Sequence, residues 1–233
     1  METNLELGRR IEGIDLTMCD CAMCPDAKQA IQALKPIVRF VDPRPHNPDR
    51  PMRNPEQTRI EVDGSIAVRL SVMHPSLALD AKSIGAGWDV GIAGLTYNAK
   101  NHSVQIFQTN SPYGETTEEM VAGLVSIAKE VSPLIGCAYG WVDVATAKLR
   151  PRRVLRFSDV KHWMYANIFG PRLLQKAPAG FFDNCPAHDK VILPDGSLLI
   201  TSAPTFAEWY FSPSKELVNF LANNAPNIAI FRN

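Results

Sequence analysis

Ile60-Glu61-Val62-Asp63-Gly64-Ser65-Ile66-Ala67-Val68-Arg69-Leu70-Ser71-Val72 is the stretch from which the fold is read. Ile60 and Val62 alternate with polar residues. Asp63-Gly64 then supplies the two left-handed positions of a tight hairpin turn. Beyond it Ile66, Val68, Leu70 and Val72 alternate with Ala67, Arg69 and Ser71. A period of two means a strand with one apolar face, so this is an antiparallel hairpin.

A second hairpin is expected just downstream. Trp88 to Tyr97 and Ser103 to Thr109 form its arms, joined through Asn98-Ala99-Lys100-Asn101-His102. Gly85, Gly87, Gly91 and Gly94 weaken the first arm. The pattern then changes to helical spacing. Thr116 and Glu119 have the form of a capping box. Val121, Leu124, Val125 and Ala128 make one stripe, and Pro133 is expected to stop the helix. A buried strand, Gly136 to Val144, follows, and another is expected from Val154 to Phe157. Gly170-Pro171 opens a short helix carrying Leu173 and Leu174. Ser197 to Thr201 is a strand after the turn Pro194-Asp195-Gly196. Ser212-Pro213 starts a last helix with Leu217, Val218 and Leu221.

Hairpin, hairpin, helix, strand is not a βαβ alternation. It predicts a single α+β domain over residues 1–233, with an antiparallel or mixed sheet and helices packed mainly on one side.

Upstream, Cys24-Pro25-Asp26 is read as a helix start, with Ala27, Ile31, Leu34 and Val38 at helical spacing and Pro36 ending it. The segment 42–57 contains five prolines between Asp42 and Pro55, which exclude a helix or a central strand. It reads as a long surface loop.

Composition narrows the function classes. Hydrophobic residues are 45% of the 233, which is enough for a sizeable core. Lys plus Arg equals Asp plus Glu at 24 each, so no global charge draws the chain to nucleic acid or an anionic membrane. The charges are nevertheless blocked. Nine acids and four bases lie between Ile60 and Ala145, whereas six bases and one acid lie between Arg150 and Arg172. The basic block includes Phe157, Trp163 and Tyr165, a mixture that either binds nucleic acid or places its aromatics in the core. Zero net charge favours the core. No apolar run reaches membrane-spanning length, and Met1-Glu2-Thr3-Asn4 has no leader character, so a cytoplasmic protein is expected.

Among chemical motifs, Cys19, Cys21 and Cys24 stand out. Three thiolates at this spacing suit zinc or copper(I), and Cys21-Ala22-Met23-Cys24 has the redox form C-x-x-C. No second paired cluster completes a zinc site, and Ile11 to Leu16 is a poor match to the strand a redox fold needs. His46, His74, His102, His162 and His188 are scattered. Cys137 and Cys185 lack a local nucleophile signature. Phosphate-binding glycine loops and G-x-S-x-G are absent.

Trp163-Met164-Tyr165-Ala166-Asn167-Ile168-Phe169-Gly170-Pro171-Arg172-Leu173-Leu174 resembles the W…N-x-F/L-G-P-x-L segment of immunity proteins from bacterial polymorphic toxin and type VI secretion systems. It is most similar to immunity family fifty-two. Tyr139-Gly140-Trp141-Val142-Asp143, Leu198 to Thr201 and the closing leucine-rich helix also fit, so the resemblance covers roughly residues 88 to 222. It implies a non-enzymatic protein without a cofactor that binds and neutralises a secreted toxin, a nuclease of the restriction-endonuclease type. The shared motif itself reads as structural, with Trp163 and Phe169 in the core. An acidic surface would steer association with a basic nuclease. Tyr113, Glu115, Glu118 and Glu119 are therefore candidate toxin contacts, as are Arg44, Arg50 and Arg53 of the proline-rich loop. A homodimer is the other partnership left open, and a thiol or metal function of Cys19, Cys21 and Cys24 is the alternative reading.

Overall fold

The structure, a computed structural model, describes residues 11, 13–41, 60–62, 65–78, 91–109, 117–145 and 153–230. Its main sheet has ten strands in the order β10-β11-β9-β7-β1-β6-β5-β4-β2, with β3 also on β4. The strands are β1 Gly13–Cys19, β2 Arg39–Val41, β3 Ile60–Val62, β4 Ser65–His74, β5 Gly91–Asn98, β6 Ser103–Thr109, β7 Tyr139–Val144, β9 Ala166–Phe169, β10 Asp189–Ile192 and β11 Leu198–Thr201. Every pairing in it is antiparallel. Two short strands, β8 His162–Trp163 and β12 Ala229–Ile230, form a separate parallel pair. The helices are α1 Ala27–Leu34, α2 Thr117–Ile135, α3 Pro171–Leu174, α4 Phe181–Asn184, α5 Phe206–Phe211 and α6 Lys215–Asn224. The α+β class with an antiparallel sheet is as the hairpin signals predict.

The central strand is β1, paired along its length with β6 on one side and β7 on the other. All seven of its residues are buried. Successive side chains in a strand point to opposite faces, so the register sorts the core into two layers. One face carries Ile14, Leu16 and Met18 of β1. Beside them lie Val104 and Ile106 of β6, Leu95 and Tyr97 of β5, and Val142 and Val144 of β7. Helix α2 covers this aliphatic face with Met120, Leu124, Ile127, Val131 and Ile135 buried, and α1 packs beside it. Tyr97 ties the layers together by donating its hydroxyl to the Cys24 carbonyl at 2.8 Å.

The other face is aromatic toward β9. Tyr139 stacks on Phe169 and Trp141 with centroids at 5.3 and 5.6 Å. Trp163, Phe157, Phe181 and Phe182 extend the cluster, and Phe220 of α6 closes on Phe181 at 5.2 Å. The short C-terminal helices therefore gather around rings, whereas α1 and α2 pack on aliphatic side chains.

The W…N…F-G-P segment is the frame of this aromatic layer. Trp163 is fully buried and donates its indole N–H to the Ser202 hydroxyl at 2.8 Å. Asn167 closes the turn before it. Its Oδ1 accepts from the Met164 backbone N–H and the Tyr139 hydroxyl, and its Nδ2 donates to the Met164 carbonyl. Gly170 is required by close approach: a Cβ there would lie 2.0 Å from the Cys137 carbonyl oxygen. Pro171 then occupies the start of α3.

Several expectations are corrected. Pro133 does not stop α2, which runs two residues further. The stop is Gly136, whose φ of 61° is the left-handed position that terminates helices. Pro133 sits in the last turn, where a lost backbone donor costs least. The start of α1 is Asp26, whose carboxylate accepts from the Gln29 N–H, and not Pro25. Val154 to Phe157 is not a strand; Phe157–Asp159 is a 3-10 turn, with Asp159 accepting from Leu155 and Arg156. Gly13–Cys19 is a buried central strand that the sequence reading did not assign, and it is antiparallel to both neighbours, unlike the parallel strand a redox fold needs before its C-x-x-C. The turn Asp63-Gly64 and Thr116 lie outside the described residues, although β3 and β4 pair as the first hairpin requires.

Replacing Asn167 by Leu keeps the volume but strands the Met164 amide, while the Met164 carbonyl keeps the Ser202 hydroxyl and the Tyr139 hydroxyl keeps the His162 carbonyl. The unfolding free energy from urea titration should fall by about 1–3 kcal/mol, the cost of one buried group left unpaired. An unchanged midpoint would contradict the role given to this amide.

Candidate functional site

The most concentrated polar chemistry among the described residues lies at the middle of the sheet, on the same face as the aromatic layer. Asp15 of β1 and Asp143 of β7 are register partners directly opposite each other. Only 6% of Asp15 and 3% of Asp143 is exposed. Thr17, fully buried, donates to Asp15 at 3.2 Å and accepts from the Gln105 amide at 3.1 Å. Asp143 accepts from the backbone N–H groups of Val144 and Tyr165 and from the Trp209 indole at 2.7, 2.8 and 3.1 Å. Asp15 Oδ1 and the indole Nε1 of Trp141, two positions before Asp143, have no hydrogen-bond partner among the described residues.

Two carboxylates in one desolvated place do not ionise alike. Burial raises Asp15 to about 8, and the neighbouring Asp143 charge adds to the rise against the Thr17 hydrogen bond. Burial raises Asp143 to about 6, its three donors limiting the rise. At neutral pH the pair therefore holds one proton, mainly on Asp15. Such a pair has the raw material of a general acid and base. A surface depression of about 350 Å³ among the described residues is lined by Phe211, Ser212, Pro213, Lys215, Val218 and Asn219 and includes neither carboxylate.

The thiols are also turned inward. Cys19, Cys21, Cys24, Cys137 and Cys185 are all free and buried. Cys21 donates to the Met18 carbonyl and Cys137 to the Cys19 carbonyl. Burial, reinforced by Cys137 beside it, holds Cys21 well above the ordinary thiol range. Burial also raises Cys24 to about 11, with Asp26 adding, and Cys185 to about 11, with Lys190 opposing. The described residues contain no group of three or more His, Cys, Asp or Glu side chains placed to hold a metal ion, so Cys19, Cys21 and Cys24 do not converge as a ligand set. Cys19 is the last residue of β1, and Cys21 and Cys24 belong to the turn that follows.

Of the expected toxin contacts, Tyr113, Glu115, Arg44, Arg50 and Arg53 lie outside the described residues. Glu118 and Glu119 occupy the first turn of α2, as their helix-start pattern implies. The Glu118 carboxylate points into the fold: its two oxygens accept from the Phe206 and Ala207 backbone N–H groups at 2.9 and 2.7 Å. It caps α5 from outside that helix and shares the task with Thr205. Phe157, Trp163 and Tyr165 are core residues, so the basic block carries no exposed aromatic platform from them.

Sequence reading missed the carboxylate pair. Its signal is an acid flanked on both sides by apolar residues, Ile14-Asp15-Leu16 and Val142-Asp143-Val144, within strands buried on both faces.

Two outcomes follow. Both carboxylates take up protons on folding, since their native values lie above the unfolded value of about 3.9. The pair's contribution to stability is therefore greatest below that value and declines as pH rises toward 8, by up to about 1.4 kcal/mol per pH unit for each extra proton held. Asp15→Asn should be more stable than the parent chain at pH 8 and lose the advantage toward pH 4, measured by denaturant titration across pH. The buried thiols should react with a disulfide reagent at pH 7 only after denaturation; fast native labelling of Cys21 or Cys24 would refute their enclosure.

No helix among the described residues is long and apolar enough to cross a membrane. Compared with models of known protein families, with curated proteins and with solved structures, the chain matches none of them.

Proposed function

We propose that the chain is a non-enzymatic immunity protein that binds and neutralises a secreted antibacterial toxin, a nuclease effector, in the cytoplasm. The observation that carries this reading is how the reactive groups are used. The thiols are buried and, at Cys21, Cys24 and Cys185, held in the protonated form. The carboxylate pair is bound into the sheet by Thr17, Tyr165 and Trp209. What such a molecule offers the outside is a rigid surface, and rigid surfaces inhibit by burial of complementary area, about 1,600 Å² in a standard complex. The resemblance of residues 163–174 to toxin-neutralising proteins supplies the partner class.

The test is protection. A toxin gene should lie beside the gene for this chain, and cells expressing that toxin should survive when the chain is co-expressed; absence of such a gene counts against the reading. The purified pair should form a one-to-one complex. Protection should persist when Cys19, Cys21 and Cys24 are replaced by Ala. Cell death despite soluble co-expressed chain would overturn the proposal.

A further inference from the structure

The turn after β1 gathers three separate parts of the chain around Asp20. This residue has a φ of 50°, an uncommon left-handed position for a residue with a side chain. Its carboxylate accepts from Arg153 Nε at 3.0 Å and from the Val154 backbone N–H. Its carbonyl accepts from Arg172 Nη2 at 3.3 Å. Two and three residues on, the Ala22 and Met23 N–H groups donate to the Gly136 and Ile135 carbonyls, both at 3.1 Å. Residues 20–24, the end of α2, the 153–156 segment and α3 are thus fastened together at one end of the sheet.

This end exposes apolar side chains. Met23 is 60%, Leu155 54% and Leu134 39% exposed, three of the six large hydrophobics exposed among the described residues. Met23 lies against Gly136, within two residues of Leu134. A single exposed leucine needs no explanation, but three apolar side chains carried by segments that meet around Asp20 put exposed apolar surface at this end of the sheet. The rim is cationic. Arg153, Arg156, Arg172 and Lys176 are exposed. Of the nearby acids Asp20 is 5% exposed, the half-buried Asp159 is engaged by the Leu155 and Arg156 N–H groups, and the exposed Asp26 caps α1 through the Gln29 N–H. Arg153 and Arg172 are held by Asp20, and Lys176 donates to the Leu155 carbonyl at 2.7 Å. Cations fixed before binding lose less freedom on docking.

We propose that this patch docks an acidic face of the toxin, with Met23 and Leu155 as apolar anchors and the arginine and lysine rim steering approach. The proposal rests on the immunity reading. An apolar centre inside a polar rim, with arginine enriched, is the anatomy of a protein interface. A protein partner is favoured over nucleic acid because Phe157, Trp163 and Tyr165, the aromatics of the basic block, are all buried and leave no stacking platform of their own. The polarity is opposite to that of an acidic docking face built on Glu118, whose carboxylate is engaged by α5.

The experiment uses the full chain and a catalytically inactive form of the toxin expected from the adjacent gene. Wild-type chain should bind one to one. Met23→Glu with Leu155→Glu should weaken binding at least about 30-fold, the scale of hot-spot loss. Its melting temperature should stay unchanged, since both side chains are exposed. Arg156→Glu should slow association about tenfold at low salt, and the difference should shrink at high salt. Full affinity of the double variant overturns the docking surface while leaving the immunity reading intact. No binding by the wild-type chain overturns both. Salt-dependent binding of a duplex DNA oligonucleotide that Arg156→Glu abolishes would make the patch a nucleic-acid surface and overturn the proposal.

Discussion

The burial of β1 between β6 and β7 is the constraint from which the rest of the structure follows. A strand hydrogen-bonded on both sides and covered on both faces cannot leave a polar side chain at the surface. Ile14, Leu16 and Met18 use this position to seat α2. Asp15 and Thr17 fall on the opposite face by alternation, and both must find partners inside. The opposing strand answers with Asp143, itself satisfied by Val144, Tyr165 and Trp209. The carboxylate pair is thus a consequence of the strand order, and the proton kept on Asp15 follows from desolvation.

The same strand sets the character of its exit. Beyond Cys19 the backbone turns through Asp20, and that residue draws in Arg153, Val154 and Arg172 from the C-terminal half. A buried carboxylate with two strong donors joins parts of the chain far apart in sequence. It also fixes which arginines face outward and in what arrangement. The architecture separates two settings: ionisable groups inside the sheet are desolvated and satisfied by neighbouring donors, and those at its end face outward. That division suits a protein that acts by contact.

Glu118 shows how a local reading and a tertiary one can both hold. In the sequence it is an acid at a helix start, explained by the helix dipole. In the fold it does that and also caps a second helix, α5, 88 residues away. Gly170 is similar. Its place before Pro171 suggests a turn, and the physical requirement is the Cys137 carbonyl that leaves no room for a Cβ.

Periodicity and turn chemistry determined the two hairpins, helix α2, the Gly170-Pro171 start of α3 and the antiparallel α+β class, because these depend on neighbours within one element. Residues 13–19 were illegible as a central strand because Asp15 and Thr17 mimic a solvated face. Asp189–Ile192 was illegible because an edge strand, paired on one side only, is exposed at three of its four residues and shows no apolar period. Pairings between distant segments have no local trace. The meeting of Asp15 with Asp143, and of Asp20 with Arg153, depends on strand order and register, which are chosen by the energy of the whole packed sheet. Only the tertiary structure could decide them.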